Sequence, residues 1–376
     1  MAFEYNRSTT GAWLEGDPPG HRRFERVYDD GLALEIGGRL GPISVAFETW
    51  GTLDSTASNA ILVLHALTGD SHAHGYEGLG HRSPGWWNQV VGPGAPIDTE
   101  SFFVVCPNIL GGCQGTTGPS SIAPDGRPYG SRFPWITPRD QVTVEVALAD
   151  ALGIDRWHAV VGGSMGGMRV LEWMVGHPHR VDKAVVIATG AYATAEQIGL
   201  SATQNRAIVA DRNFHDGDYY DAEVGPEEGM RIARAIGQIS YRSEVEFHRR
   251  FHRKAQGDED PLRGGRYAIE SYLDHISDKL IQRFDANTYL VLSTAMNHHD
   301  VGRGRGGLAE ALARVKAEVT VAGISTDRLY PLRLQHELAE LLPGACRVET
   351  IASLDGHDGF LTESEAVGRI LHRALE

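Results

Sequence analysis

The sequence is poor in cysteine, and it contains no long hydrophobic run. Only three of its 376 residues are cysteines, Cys106, Cys113 and Cys346, and they lack the CxxC spacing of zinc or redox sites. We therefore expect reduced thiols and no disulfide framework. The N-terminal segment has no apolar stretch typical of a signal peptide, and no segment approaches the roughly 18 apolar residues of a membrane-spanning helix. These absences predict a cytoplasmic protein that does not cross a membrane.

Positive charge is also scarce. Lysine and arginine number 35 against 49 aspartates and glutamates, so the formal net charge is −14 at pH 7. A protein that follows nucleic-acid phosphates needs a basic stripe, and no long Lys/Arg run supplies one. We expect no nucleic-acid partner. Hydrophobic residues make up 41% of the chain and charged residues 22%, which is enough apolar side chain for a large packed core.

The first half of the chain alternates between predicted strands and helices. Apolar runs at 60–64, 102–106, 158–161 and 183–188 lack polar alternation, which favours strands of a parallel sheet covered on both faces. A helix is predicted over Asp140–Leu152, and another follows the glycine-rich turn at 162–167 as far as His177. Nearer the N terminus, alternation at Leu32, Leu34 and Ile36 predicts an edge strand that pairs with a second strand over Ile43–Thr49. This order is typical of an α/β fold.

A helical segment interrupts the alternation. The next buried strand after residue 188 is predicted at 318–324, whereas a crossover between parallel strands needs only about 30 residues. Helical periodicity marks 195–211, 227–241, 243–255 and 267–294. A helix at 332–342, a strand at 346–351 and a final helix from Ser364 complete the chain. We predict a core formed by 1–190 and 318–376, with a helical lid inserted over 191–317.

The motif Gly162-x-Ser164-x-Gly166 lies between a predicted strand and a predicted helix, which is the setting of a nucleophile elbow. Such a turn exposes the serine Oγ above the sheet and directs the Met165 amide toward a developing oxyanion. The second oxyanion donor is expected from the loop at 65–69, and we assign it to the Leu67 amide. A phosphate-binding turn is the alternative, but neither GxxxxGK[ST] nor GxGxxG stands at this turn.

A nucleophilic serine needs a base and an orienting acid, and in α/β-hydrolases these follow in the order Ser, acid, His after late strands. Asp327 follows the strand at 318–324, and His357 follows the strand at 346–351. Asp355 and Asp358 flank the histidine, but a neighbour on the same loop cannot easily reach its Nδ1. We therefore predict a triad of Ser164, Asp327 and His357 in an α/β-hydrolase fold with a mostly parallel central sheet.

Two groups of histidines raise the question of a metal. His65, His72, His74 and His81 have no carboxylate or cysteine at ligand spacing, and HRRFH at 248–252 lacks the glutamate of HExxH. We expect no metal at either place and no tightly bound cofactor.

The assembled motifs resemble the homoserine O-acetyltransferase family of the α/β-hydrolase superfamily. They are HALTGDSH at 65–72, NILGGCQGTTGPSS at 108–121, GGSMGGM at 162–168, AIGQISYRS at 235–243, DVGRGRGG at 300–307 and DGHDGFL at 355–361. The resemblance implies transfer of an acetyl group from the co-substrate acetyl-CoA to the hydroxyl of L-homoserine, a step of methionine biosynthesis. It also implies a homodimer whose lid covers the active site.

The same resemblance assigns further roles by position. Ser164, Asp327 and His357 match the family's nucleophile, acid and base. Arg234 matches the arginine that binds the homoserine carboxylate, and Asp358 matches the residue that binds its amino group. A zwitterion needs one cation and one anion around it, and arginine suits a carboxylate. Tyr241, on the same predicted helix face as Arg234, is a secondary candidate.

Other functions stay open on the sequence. Relatives on this scaffold resemble succinyltransferases or serine acyltransferases, so the acyl donor and the acceptor are not decided by the residues. A carboxylesterase-type hydrolase would use the same triad with water. A catalytically inactive binding protein on this fold is the non-enzyme alternative, and the intact triad with Arg234 and Asp358 argues against it.

Overall fold

A computed structural model describes residues 3–344 and 346–376 of the chain. The strands are β1 Arg23–Tyr28, β2 Leu32–Ala33, β3 Arg39–Leu40, β4 Ile43–Trp50, β5 Ala60–Leu64, β6 Val91–Gly92, β7 Ile97–Asp98, β8 Phe103–Pro107, β9 Trp157–Gly163, β10 Val181–Ile187, β11 Glu318–Ile324 and β12 Val348–Ile351. The α-helices are α1 Pro138–Ala151, α2 Met165–Gly176, α3 Ala195–Val209, α4 Glu227–Tyr241, α5 Glu244–Phe251, α6 Ala268–Ile281, α7 Ala286–Asn297, α8 Leu308–Leu312, α9 Leu332–Leu341, α10 Gly359–Thr362 and α11 Ser364–Leu375.

Eight strands form one central sheet in the order β1-β4-β8-β5-β9-β10-β11-β12. The β1–β4 and β4–β8 pairs are antiparallel, and every pair from β8 to β12 is parallel. The predicted mostly parallel sheet is therefore confirmed. Separate apolar clusters cover its two faces, as expected for strands without polar alternation.

The register of the parallel strands brings their carboxyl ends together. Leu64 of β5 pairs with Gly162 of β9, and Ile324 of β11 pairs with Ile351 of β12. The loops that follow these ends carry the predicted oxyanion segment, serine, acid and histidine. Open α/β sheets bind ligands at this edge.

One strand pairing predicted from the sequence is wrong. β4 does not pair with the segment at 32–36, because its two edges are occupied by β1, at residues 23–28, and by β8. The segment at 32–36 instead contributes only β2, which forms a two-residue ladder with β3. Three glycines with positive φ, Gly31, Gly37 and Gly38, turn the chain sharply here and leave no room for a longer strand.

Helices α3 to α8 lie within the segment predicted as an insert, and its boundaries at 190 and 317 stay a prediction. The single helix predicted at 267–294 is instead two helices, α6 and α7, separated at residues 282–285. Asp285 caps α7 by accepting from the Thr288 amide at 3.0 Å, and the Tyr219 hydroxyl donates to it at 2.8 Å. A side chain that satisfies free helix amides favours a new helix start over continuation, which explains the break.

Candidate active site

Ser164 lies at a sharp turn between β9 and α2. Its φ of 57° and ψ of −123° are unusual for a residue with a side chain, and its amide donates to the Ile187 carbonyl at 2.9 Å. The flanking glycines are required by space. A Cβ on Gly162 would lie 2.5 Å from the Gly166 carbonyl carbon, and a Cβ on Gly166 would lie 2.0 Å from the Leu64 carbonyl oxygen. The flanking glycines therefore allow the serine to take a strained position at the sheet edge.

His357 connects the serine to the aspartate. Its Nε2 lies 2.9 Å from Ser164 Oγ, and its Nδ1 lies 2.7 Å from Asp327 Oδ2. The three residues are 4–5% exposed, so water hardly competes for these contacts. A carboxylate only accepts hydrogen bonds from this ring, so it fixes the proton on Nδ1 and leaves the Nε2 lone pair for the serine proton.

The Asp327 carboxylate is oriented by hydrogen bonds to the oxygen that does not face His357. Its Oδ1 accepts from the Leu329 and Tyr330 amides, both at 2.8 Å, while Oδ2 faces the histidine. Asp355, which the sequence left as an alternative acid, instead pairs with Arg242 at 3.3 Å. The structure therefore brings together the three residues predicted as the triad.

The environment of His357 changes its pKa. Burial disfavours the charged ring, but the charge and hydrogen bond of Asp327, helped by Asp358, outweigh burial, so the pKa of His357 is raised. The ring of Tyr330 stacks on the imidazole with centroids 5.1 Å apart, and Phe360 approaches it edge-on at 5.6 Å. These contacts fix the ring orientation, and the raised pKa makes it a stronger proton acceptor.

The predicted oxyanion donors follow the ends of two neighbouring strands, β9 and β5. Met165 is the first residue of α2, where a helix amide has no partner within the helix. Leu67 lies in the loop that follows β5. Met165 and Leu67 belong to one apolar cluster, which also contains residues of the insert. Two unpaired amides beside a nucleophile can stabilise the oxyanion of an acyl-transfer intermediate.

A cavity of about 230 Å³ opens on the serine. The oxyanion loop and the aromatic or apolar side chains Trp86, Phe360 and Leu361 border it. Polar and charged side chains of the insert and of the turn that follows β12 also line it, and they are Gln197, Ser201, Gln204, Arg234, Ser240, Tyr241, Arg283, Asn297 and Asp358. The predicted substrate residues Arg234, Tyr241 and Asp358 therefore share one cavity with Ser164.

Arg234 is the least satisfied charged group of this cavity. Its Nε is buried without a hydrogen-bond partner, and within residues 3–344 and 346–376 it forms no ion pair. Its guanidinium carbon lies 5.6 Å from the centre of the Tyr241 ring. A partly buried cation with a buried, unpaired donor is costly unless a ligand supplies the missing acceptor. The geometry fits a carboxylate ligand.

Asp358 differs from Arg234, because its charge is already shared. Its Oδ2 lies 3.0 Å from Nε of Arg242, and the same guanidinium reaches Asp355. The carboxylate still lines the cavity, so it can receive an ammonium group, but its field there is weakened by the arginine. This pairing could not be predicted from the sequence, because Arg242, within the AIGQISYRS motif, and Asp358 lie far apart along the chain.

Comparison with known proteins assigns the chain to a protein family. The family profile described as alpha/beta hydrolase fold matches residues 59–364. The homoserine O-acetyltransferase of Thermobifida fusca (strain YX) is 57% identical over 367 residues, which are 97% of this chain and 97% of that protein. The chain belongs to the homoserine O-acetyltransferase family, within the α/β-hydrolase fold. The resemblance found in the sequence motifs is confirmed.

Solved structures share the fold of this homoserine O-acetyltransferase family member. The homoserine O-acetyltransferase from Bacillus anthracis superposes with a TM-score of 0.87 at 27% identity, covering 95% of this chain and 98% of that chain. Esterase E22 superposes with a TM-score of 0.86 at 27% identity, covering 94% and 99%. The scaffold therefore occurs in proteins named as transferases and as esterases, and the fold alone does not separate these chemistries.

A second buried cluster lies away from the serine in this homoserine O-acetyltransferase family member. Glu48 Oε2, on β4, lies 2.9 Å from His72 Nδ1. The His72 and His81 rings stack with their centroids 3.8 Å apart. The Glu48 carboxylate could not be assigned from the sequence, because it lies on a different strand, 24 residues before His72. The two rings are within 10° of parallel, so both cannot direct in-plane lone pairs at one ion without turning. The absence of a metal stays a prediction.

Arg283 is the functional candidate that sequence reasoning missed most clearly. It lines the cavity together with Arg234, and its Nη1 donates to the Thr68 carbonyl at 2.6 Å. The break between α6 and α7 places it there, and a prediction of one continuous helix hid this position. The acidic cap Asp285, two residues later, is the sequence signal that could have revealed it.

Proposed function

We propose that this protein transfers an acetyl group from acetyl-CoA to the hydroxyl of L-homoserine by way of an acyl-enzyme on Ser164. The observation that carries the proposal is the unpaired Arg234 in the same cavity as Ser164, with Asp358 also facing that cavity. A plain esterase has no need of a partly buried, unpaired cation in the cavity of its serine. An amino-acid acceptor supplies both the carboxylate for Arg234 and the ammonium for Asp358.

The first half-reaction forms the acyl-enzyme. His357 Nε2 takes the proton of Ser164 Oγ as the oxygen attacks the thioester carbonyl carbon. The Leu67 and Met165 amides stabilise the oxyanion. The C–S bond then breaks, the electron pair leaves with sulfur, and His357 returns the proton to the CoA thiolate. Asp327 stabilises the imidazolium that exists between these two proton transfers.

The second half-reaction repeats the proton transfers with a different nucleophile. His357 takes the proton of the homoserine hydroxyl, whose oxygen attacks the acetyl carbon. The bond to Ser164 Oγ breaks, and His357 gives the proton back to Oγ. The product is O-acetylhomoserine, and we propose that it serves methionine biosynthesis, as the family resemblance implies. No tightly bound cofactor takes part, and acetyl-CoA is a co-substrate.

Thiol release with and without homoserine tests the proposal. We expect one equivalent of thiol in a burst with acetyl-CoA alone, an acetyl adduct on the intact protein, and continuous release only when homoserine is added. Release that is equally fast without homoserine favours the second candidate, an esterase-type hydrolase, which the superposition with esterase E22 supports. Succinyl-CoA and L-serine in parallel reactions decide the donor and the acceptor.

We also propose that two copies associate in solution through the insert. Helices α3 and α4 pack together and expose Ile198, Val209, Ile232 and Ile239, which are 39–53% exposed. Apolar side chains grouped on adjacent helices are typical of a homodimer surface. Sedimentation should show a dimer that Ile232→Glu with Ile239→Glu dissociates, while Leu262→Glu, on an exposed side chain elsewhere, leaves it intact. A wild-type monomer at micromolar concentration would contradict this surface.

We further propose a cytoplasmic location. Within the described part of the chain, no helix has the length and apolarity needed to cross a bilayer. Cys106, Cys113 and Cys346 are free, which suits a reducing compartment. Fractionation of the source cells with an antibody against the protein is the direct measurement.

A further inference from the structure

The oxyanion loop at 65–69 is held by its carbonyl groups. Arg169 Nη2 donates to the His65 carbonyl at 2.6 Å, and Arg283 Nη1 donates to the Thr68 carbonyl at 2.6 Å. Between them, the Ala66 carbonyl accepts from the Gly69 amide at 2.9 Å and faces His65 Nδ1 at 2.8 Å. Three of the first four carbonyls of the loop are thus fixed by donors.

The amide side of the same loop is free. Within the described residues, the Ala66, Leu67 and Thr68 amides donate to no carbonyl or side chain. In a trans peptide the carbonyl and the amide point in opposite directions. Arg283 holds the Thr68 carbonyl, so it fixes the peptide that carries the Gly69 amide, and that amide donates to the Ala66 carbonyl at 2.9 Å. The opposite end of the Ala66–Leu67 peptide is the Leu67 amide, so this chain of contacts fixes the direction of that amide in a loop that borders the substrate cavity.

The two arginines come from different parts of the molecule. Arg169 belongs to α2, is fully buried, and is paired with Glu145 at 2.5 Å, so it is built into the core. Arg283 belongs to the insert, between α6 and α7. Its own carbonyl accepts from Gln114 Nε2 at 2.7 Å, which anchors its backbone against the loop that follows β8. Of the two arginines, Arg283 is the one that links the insert to the oxyanion loop by a hydrogen bond.

Arg283 also lies between two cavities. It lines the substrate cavity, and on its other side it lines a second cavity of about 530 Å³ that Asp70 also borders. A long side chain with open space on both sides is not needed to fill a packed core. Its directed contact in this wall is the hydrogen bond to Thr68.

We propose that Arg283 is a positioning residue that aligns the Leu67 amide for the oxyanion and makes acyl-enzyme formation depend on the docked insert. The proposal rests on the function proposed above for its acyl donor. Losing one oxyanion donor slows catalysis by about 10²–10³-fold, and a displacement of about 1 Å costs about 10²-fold. Loss of the alignment by Arg283, with the amide still present, should therefore slow acylation by roughly 10- to 100-fold.

Three variants separate positioning from packing. Arg283→Met keeps the length and removes all donors, Arg283→Lys keeps one charged donor, and Arg231→Met is the matched control. Arg231 lies on α4 of the same insert and pairs with Asp278, away from the loop. The measurements are the burst rate with acetyl-CoA, the burst rate with p-nitrophenyl acetate, the KM for homoserine and the unfolding temperature.

The expected result is a burst slowed by roughly 10- to 100-fold in Arg283→Met with both donors, and a smaller loss in Arg283→Lys. The KM for homoserine and the unfolding temperature should stay near the wild-type values, and Arg231→Met should match the wild type in every measurement. A merely structural role would lower the unfolding temperature and leave the burst of the folded protein unchanged.

Several results would overturn the proposal. One is a wild-type burst rate in folded Arg283→Met, and another is a raised homoserine KM with an intact burst, which assigns Arg283 to the acceptor. If Arg283→Met does not fold, Arg283→Lys and Arg283→Gln decide by the same burst. If acetyl-CoA gives no burst with the wild type, the proposed function is contradicted, but the proposal for Arg283 is not. The burst with p-nitrophenyl acetate still measures how well the oxyanion loop is aligned.

Discussion

The core and the helical insert contribute different kinds of side chain to one cavity. The core groups are interlocked, since Ser164, His357 and Asp327 each have a hydrogen-bond partner within the group. The principal charged group of the insert, Arg234, has no such partner, because its buried Nε forms no hydrogen bond. A group that acts on the acyl carbon in both half-reactions is best preorganised by the protein. A group that recognises one substrate leaves its partner position open to that substrate.

This difference gives the two regions separable functions. The core groups are needed whenever an acyl group enters or leaves the serine. Arg234 of the insert is needed only when the acceptor binds. Asp358, from the core turn that follows β12, also serves the acceptor, but its charge acts on His357 as well. Substitutions of the triad should therefore stop both half-reactions, whereas substitution of Arg234 should affect only the second.

The largest effect is expected from Ser164→Ala. Removal of Oγ eliminates the acyl-enzyme, so the burst, the acetyl adduct and turnover should all disappear, with at least a roughly 10⁴-fold loss of kcat. Thermal unfolding should change little, because the substitution leaves the elbow backbone in place. Intact mass after incubation with acetyl-CoA is the measurement, and an adduct retained by the variant would assign another nucleophile.

A smaller and more selective effect is expected from Arg234→Met. Without the guanidinium, the homoserine carboxylate enters the cavity unpaired, which costs about 2–5 kcal/mol for a desolvated charge pair. That is a loss of roughly 30- to 5000-fold in kcat/KM for homoserine. The burst with acetyl-CoA should keep its wild-type rate. Should the burst fall as far as turnover, the guanidinium acts on the donor or the triad, and the division between core and insert fails.

The acceptor effect of Asp358→Asn should be smaller than that of Arg234→Met. Asp358 shares its charge with Arg242, so the ammonium group of homoserine loses an attraction that was already weakened. A loss of about 10-fold in kcat/KM for homoserine is expected, within the range of a partly compensated charge. Steady-state kinetics on both variants gives the ranking. A larger loss in Asp358→Asn would show that Arg242 moves away when homoserine binds.

The sequence predicted the core site more fully than the insert. Ser164, Asp327 and His357 follow the ends of buried strands, and parallel register brings such ends to one edge whatever the loop lengths. Arg234 entered only through the family resemblance, because a helical arginine carries no local signal of function. Whether it faces solvent or a cavity depends on how α3, α4 and α6 pack against one another, and no local pattern contains that information.

Two errors have the same physical origin. The pairing of β4 with β1 is a contact between segments about 20 residues apart, and Glu48 joins His72 across a comparable separation. Periodicity reports which side chains are buried, but it does not report which segments are neighbours. The break at Asp285 differs, since a capping residue was visible in the sequence and the longer apolar pattern hid it.

The smallest expected effect is a shift in the pH dependence of the burst in Asp358→Asn. This shift directly measures the electrostatic coupling between the acceptor site and the triad. His357 must be neutral to accept the Ser164 proton, so the burst rate rises with pH through the pKa of that histidine. The negative charge of Asp358 contributes to raising that pKa, so Asp358→Asn lowers it. The acid limb of the burst profile should therefore move to lower pH.

Asp355→Asn is the matched control, because this neighbour on the same turn pairs with Arg242 and is not among the groups that raise the pKa of His357. If the limb stays in place in Asp358→Asn, or moves equally in both variants, the acceptor site and the triad are electrostatically independent.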